Sequence, residues 1–207
     1  MARAEPRHFS LLRDFKVADF LTLANGVCGM GAVLAFLSYC SDGNSTAFWV
    51  GTGLLPLALL FDVLDGRVAR LRHESSAMGR ELDSLADVVS FGVAPAVMGF
   101  AVGLRASLDL VCLVMFVACG IGRLARYNVT AEKLSEARGK VTYFEGFPIP
   151  SSLMLVVLLA ALMAASPAPA LVLGVWDLGP LALHPLALVF VLLGAGMISK
   201  TLRIPKP

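Results

Sequence analysis

Apolar residues run through this chain in long, nearly unbroken blocks, separated by short stretches where arginine, aspartate and proline collect. The blocks lack the strict in–out alternation of barrel strands. They have the length of helices that cross a bilayer, which need about 20 apolar residues. The pattern predicts six spans, at about 17–38, 47–70, 84–104, 108–127, 149–166 and 181–199. Residues 167–180, PAPALVLGVWDLGP, are apolar but short and proline-broken, and are expected to form an interfacial loop. The expected class is an all-α integral membrane protein with one domain over residues 1–207.

Composition agrees. The chain is 57% hydrophobic and 15% charged, where a soluble domain is nearer half apolar and a quarter charged. The first residues are polar and basic, without an apolar core and a small-residue cleavage site, so they do not read as a signal peptide. Arg7–Phe20 mixes apolar and charged positions. Residues 1–16 therefore read as a segment lying on the membrane surface, or alternatively as a frayed end. Cys28, Cys40, Cys112 and Cys119 form no CxxC pair and read as small hydrophobes.

Charge then orients the spans. All but one of the 17 lysines and arginines fall on alternate segments: the amino terminus, the second and fourth loops, and the tail. Only Arg105 falls on the other side. By the positive-inside rule both termini and those two loops are expected in the cytoplasm. The net charge of +2 gives no sign of a nucleic-acid partner.

One window does not suit a membrane chain: FDVLDGRVARLRHESSAMGRELDSLADVVSF, Phe61 to Phe91. On helices at 100° per residue, Asp62, Asp65, Gly66, Ala69 and Arg70 share an arc of about 140°, and Gly79, Asp83 and Asp87 share about 80°. A tight connection makes the two helices antiparallel neighbours, so four carboxylates meet near one depth. Like charges at close range in low dielectric need cations or protons. Two hard divalent ions, Mg²⁺ or Mn²⁺, would satisfy them with oxygen ligands. A metal pair of that kind serves displacement at phosphorus. Gly66 and Gly79 let a ligand approach the backbone, Ala69 keeps the helix wall low, and Arg70 can contact a phosphate. The bland alternative is a structural cluster in which the aspartates pair with Arg67, Arg70, Arg72 and Arg80.

The spacing Asp62-x-x-Asp65-Gly66-x-x-Ala69-Arg70, eight residues, Gly79-x-x-x-Asp83-x-x-x-Asp87 resembles the complete signature of the CDP-alcohol phosphotransferases. The resemblance implies a six-helix membrane enzyme, usually a homodimer, that transfers a phosphatidyl or related group from a CDP-linked lipid to an alcohol and releases CMP. It implies that Asp62, Asp65, Asp83 and Asp87 bind the metals, with Asp87 also the general base. Gly66, Ala69, Arg70 and Gly79 would receive the nucleotide. Thr22 and Asn25 of the first span resemble polar residues lining that nucleotide site. The alternative for Thr22 is a hydroxyl bonded back to its own helix. Members often carry Pro-Asn where this chain has Ala18-Asp19, which weakens any role for Asp19.

Three further stretches bear on the acceptor. ELDSLADVVSFGVAP (Glu81–Pro95), GIGRLARYN (Gly120–Asn128) and YFEGFPIPSS (Tyr143–Ser152) are similar to the bacterial and archaeal membrane phosphatidylserine synthases. That likeness implies CDP-diacylglycerol as donor and L-serine as acceptor, at the cytoplasmic face of the inner membrane. Arg123 and Arg126 suit the serine carboxylate, and Glu145 suits its ammonium. The two arginines also read as positive-inside anchors, and Glu145 as a surface acid. Glycerol 3-phosphate or an inositol phosphate is the alternative acceptor. A divalent-cation transporter is a more remote reading, because transport sites usually lie at the bilayer midplane.

Overall fold

The computed structural model describes residues 15–72, 77–136, 143–166, 169–199 and 203–205. The proposed surface segment 1–16 falls almost wholly outside the described residues.

Helix α1 (Val17–Asp42) opens where Asp19 Oδ2 accepts the Lys16 N–H at 2.8 Å. It ends at Gly43, whose φ of 67° is left-handed and closes the turn on the Tyr39 carbonyl. Asn44 then caps α2 (Ser45–Arg72), its Oδ1 accepting the N–H groups of Thr46 and Ala47. The turn is so short that α1 and α2 must pack as an antiparallel pair. Gly51 makes that contact close, because a Cβ there would meet the Phe36 ring and the Ala32 carbonyl at 2.9 and 3.1 Å. Phe36, Tyr39 and Phe48 fill the end of the pair, with the Phe48 ring centroid 5.6 and 5.2 Å from those of Phe36 and Tyr39.

The chain returns as one rod in three parts: α3 (Ala77–Asp87), a π-helical stretch Val88–Val93, and α4 (Ala94–Ala101). This rod packs along α1. Helix α5 (Ser107–Glu136) follows, then strand β1 (Tyr143–Glu145), a 3₁₀ turn Ile149–Ser152, and α6 (Leu153–Ala165). Beyond a second 3₁₀ turn (Pro169–Leu173), β2 (Trp176–Leu178) and β3 (Leu181–Leu183) form an antiparallel hairpin. Helix α7 (Ala187–Ile198) packs on α5 through Phe116 and Phe190, 5.4 Å apart edge to face. Strand β4 (Arg203–Pro205) pairs antiparallel with β1.

Among the described residues, four helices are long and apolar enough to cross a membrane: Val17–Asp42, Ser45–Arg72, Met78–Ala101 and Ser107–Thr130. Two apolar helices are shorter, Ile149–Ala165 and Ala187–Ile198. The protein also wears its apolar residues outside. Val27, Leu34, Leu60, Val114, Val157 and Leu192 are all exposed, a surface that suits lipid rather than water.

Within the predicted sixth span, 181–199, the apolar helix starts later than expected. Residues 181–183 are a strand, and the helix has only 12 residues, about 18 Å of rise against a core of about 30 Å. Gly179, with φ 75°, and Pro180 turn the chain there. The backbone N–H of His184 is committed to Asp109 at 2.8 Å, which holds the chain extended before α7. The expected interfacial loop at 167–180 holds a 3₁₀ turn and the first hairpin strand, and residues 167–168 lie outside the described residues. The class is the expected mostly helical one, with two short antiparallel β ribbons among the described residues.

Candidate metal centre

The second half of α2 and the second half of α3 bring the aspartates together. Asp62, Asp83 and Asp87 each place a carboxylate oxygen within 4.8 Å of the others. Both helices pack against α1, and i, i+3 spacing on one and i, i+4 on the other turn the charges of each toward the shared centre. Asp62 and Asp83 are half-buried, and Asp87 is buried. Asp83 Oδ1 is shielded from solvent and has no hydrogen-bond partner. Among the described residues, none of the four aspartates is paired with an arginine at ion-pair distance. The structural-cluster alternative needs such pairs, so the geometry disfavours it.

Asp65 belongs to the same field but sits apart. It is buried, and its Oδ2 accepts the Thr22 hydroxyl at 2.6 Å. The Thr22 oxygen also lies 3.2 Å from the Ala18 carbonyl. The shorter, charged contact is the stronger acceptor for its one proton. Three residues further along α1, Asn25 donates from Nδ2 to Asp87 Oδ1 at 3.1 Å. Asn25 is fully buried, and its Oδ1 has no partner. The resemblance implies that Thr22 and Asn25 line a nucleotide site. In this structure both bond to aspartates of the centre, Thr22 to one on α2 and Asn25 to one on α3.

The donor set fits a hard divalent cation. The converging groups are all carboxylate oxygens, one of them unsatisfied though buried, and no basic side chain among the described residues forms an ion pair with them. Asp62, Asp65 and Asp83 all act electrostatically on Asp87, and Asp19 acts on Asp65. Asp19, discounted on sequence grounds, is a buried fifth carboxylate at the rim, tied to its helix start.

The remaining predicted residues divide. The Arg70 guanidinium folds over Gly66, where a Cβ would lie 3.6 Å from Nη1. Ala69 and Gly79 are half-buried on the same two helices. Arg123 on α5 is half-buried, sits within electrostatic reach of Asp87, and stacks over the Tyr127 ring at 5.5 Å. Arg126 donates from Nη2 to the Ile198 carbonyl at the end of α7, at 2.9 Å. Glu145 lies in β1, and its side chain is outside the described residues.

Three contacts around the centre were not expected from the sequence. Ser90 Oγ donates to the Asn25 carbonyl at 3.0 Å. Asn128 Nδ2 donates to Ser84 Oγ at 2.9 Å, joining α5 to α3. Ile149 is fully buried against Gly92 and Gly120, which seats the YFEGFPIPSS stretch beside the π-helical turn. Gly146 has φ 74°, and a Cβ on it would strike the Met197 carbonyl, so only glycine suits this crossing. The sequence carried no signal for these contacts; the π turn after Asp87 that brings them together is of a kind that clusters at functional sites.

Comparison with known proteins agrees with this geometry. The family model described as CDP-alcohol phosphatidyltransferase matches residues 15–196. The chain is 43% identical to the CDP-diacylglycerol–serine O-phosphatidyltransferase of Saccharomyces cerevisiae, over 99% of this chain and 75% of that protein. It is 34% identical to the Bacillus subtilis protein of the same name, over 68% of this chain and 72% of that one. It is 37% identical to the archaetidylserine synthase of Methanothermobacter thermautotrophicus, over 68% of this chain and 58% of that protein. With its signature aspartates gathered at one centre and a family match over most of its length, this chain belongs to the CDP-alcohol phosphatidyltransferase family.

Proposed function

We propose that this chain transfers a phosphatidyl group from CDP-diacylglycerol to the hydroxyl of L-serine, giving phosphatidylserine and CMP. The observation that carries the reading is the convergence of Asp62, Asp83 and Asp87 within 4.8 Å, without arginine partners among the described residues. Substrate choice is supported by relatives named for serine transfer, one of them matching 99% of this chain.

Asp62, Asp65, Asp83 and Asp87 hold divalent cations, Mg²⁺ or Mn²⁺. When bound, two such ions offset the charge of the pyrophosphate and of the departing CMP. Asp87 takes the proton of the serine hydroxyl as its oxygen bonds to phosphorus. Asn25 orients Asp87, and Thr22 orients Asp65. Gly66, Ala69 and Gly79 leave a low wall for the nucleotide, and Arg70 reaches its phosphates. Arg123 receives the serine carboxylate. Arg126 and Glu145 complete the acceptor side.

The chain lies in the cytoplasmic membrane with six spans and both termini inside, the two short apolar helices completing the crossings. Basic residues on alternate segments support this orientation. The active site then opens at the cytoplasmic face, where acyl chains stay in lipid while the nucleotide reaches water. The working form is a homodimer.

The test is CMP release by the purified protein in detergent with CDP-diacylglycerol and Mn²⁺ or Mg²⁺. Serine, glycerol 3-phosphate and inositol phosphate are supplied separately. Release that requires serine is expected. Release only with a phosphorylated alcohol would overturn the choice of acceptor while leaving the metal centre intact. An ether-linked donor run in parallel tests the likeness to the archaetidylserine synthase.

A further inference from the structure

Ser90 lies outside the aspartate signature, yet its placement is specific. It is fully buried, in the π-helical stretch that starts directly after Asp87. A serine inside a helix ordinarily returns its hydroxyl to a carbonyl of its own preceding turn. Ser90 instead crosses to the neighbouring helix and donates to the Asn25 carbonyl at 3.0 Å.

That crossing needs very close approach. Gly29, one turn beyond Asn25 on α1, permits it. A Cβ on Gly29 would lie 2.7 Å from Ser90 Cα and 2.9 Å from its Cβ. Small residues at such crossings let helix backbones approach in membranes.

The contacts form a closed circuit. Asn25 touches the α3 rod twice: its side-chain amide donates to Asp87 Oδ1 at 3.1 Å, and its backbone carbonyl accepts from Ser90. Asp87 and Ser90 are three residues apart, on the face turned to α1. With Ser90 holding the backbone of Asn25, the amide has one place to go. Remove the hydroxyl and α1 is free to slide or roll against the rod, which misplaces the amide that orients Asp87.

We propose that Ser90 is a positioning residue for the metal centre: it locks α1 in register so that Asn25 holds Asp87. The inference rests on the reading of Asp87 as a metal-centre residue.

The experiment is a double-mutant cycle read by direct Mn²⁺ binding, using the electron paramagnetic resonance signal of free Mn²⁺ over the detergent-purified protein without substrate. CMP release is measured alongside. Ser90→Ala is expected to weaken Mn²⁺ binding and lower kcat by about tenfold, the lower end of the range for residues that orient metal ligands, with KM for CDP-diacylglycerol little changed. Asn25→Ala is expected to do as much or more. The pair together is expected to be no worse than Asn25→Ala alone, because Ser90 acts only through Asn25.

Wild-type Mn²⁺ affinity in Ser90→Ala, or losses that multiply in the double variant, would overturn the proposal. If Ser90→Ala does not fold, the cycle is run with Ser90→Cys, whose thiol is a similar size but a poor donor; unchanged affinity there would overturn it equally. Asp87→Asn separates the two readings. If it keeps Mn²⁺ binding and activity, the metal-centre reading fails. If it loses both while Ser90→Ala matches wild type, only the positioning role fails.

Discussion

Thr22 and Asp65 stand 43 positions apart in the chain and are joined by a 2.6 Å hydrogen bond between α1 and α2, both side chains buried. With Asn25 on Asp87, this makes α1 the helix that orients the acidic centre from behind. Thr22→Val keeps the shape and removes the donor, leaving a buried carboxylate oxygen unsatisfied. Such a loss costs roughly 1–3 kcal/mol and, at a metal ligand, about tenfold or more in activity. Thr22→Ser is expected to stay near wild type. Thermal unfolding and CMP release measured on both variants check this; equal behaviour of Val and Ser would remove the hydroxyl from the account.

Asp83 carries a buried oxygen without a partner, and this oxygen gains most from a bound cation. Asp83→Asn is expected to abolish Mn²⁺ binding and lower CMP release by about a hundredfold or more. Repulsion among the carboxylates is also relieved, so the metal-free variant is expected to melt higher than the metal-free wild type. Chelation with EDTA should inactivate the wild type reversibly and lower its melting temperature, since a ligand that binds only the folded state stabilises it. A chelator-insensitive enzyme would contradict the metal centre.

Arg123 and Arg126 are neighbours on α5 with different surroundings. Arg123 lies within reach of Asp87, whereas Arg126 is bonded to the last turn of α7. Arg123→Ala is expected to raise KM for serine about tenfold or more while leaving KM for the CDP-lipid nearly unchanged. Arg126→Ala is expected to act on stability instead, by about 1 kcal/mol for an exposed hydrogen bond from a charged donor. Steady-state kinetics with each substrate varied in turn, together with melting curves, distinguishes the two. A serine-specific defect in Arg126→Ala would return that residue to the acceptor site.

At the other end of α5, Asp109 is completely buried and gathers three contacts, from the Ala106 N–H at 2.9 Å, the His184 N–H at 2.8 Å and His184 Nδ1 at 2.6 Å. This cluster pins the β2–β3 hairpin to α5, some 21 Å along the helix from Arg123 at about 1.5 Å per residue. Asp109→Ala is expected to destabilise by on the order of 3 kcal/mol, because several buried polar groups lose their partner together. Mn²⁺ affinity of the protein that remains folded should not change. Loss of Mn²⁺ binding with an unchanged melting temperature would show that the pin is not merely structural.

The acidic centre was legible because its geometry is local. Asp62 with Asp65, and Asp83 with Asp87, are each one turn apart on one helix, and a short connection returns the second helix toward the first. The family signature lies in that same window, so residues and resemblance agreed. The long spans were legible for a similar reason: apolar length is a property of a segment. The start of the last apolar helix was not legible, because it depends on a remote contact, Asp109 holding His184 before α7.

The amino-acid sequence by itself determined the membrane class, the helices that carry the aspartates and the chemistry of an all-oxygen acidic centre, since these follow from apolar runs and from turn-to-turn spacing. Only the tertiary structure decided how the centre is supported. Thr22 turned to Asp65, Asn25 to Asp87, and Ser90 to the Asn25 backbone, while Arg123 and Arg126 parted company. The physical reason is that a buried donor must find an acceptor, and which acceptor lies within about 3 Å is set by the register of one helix against another, not by neighbours along the chain.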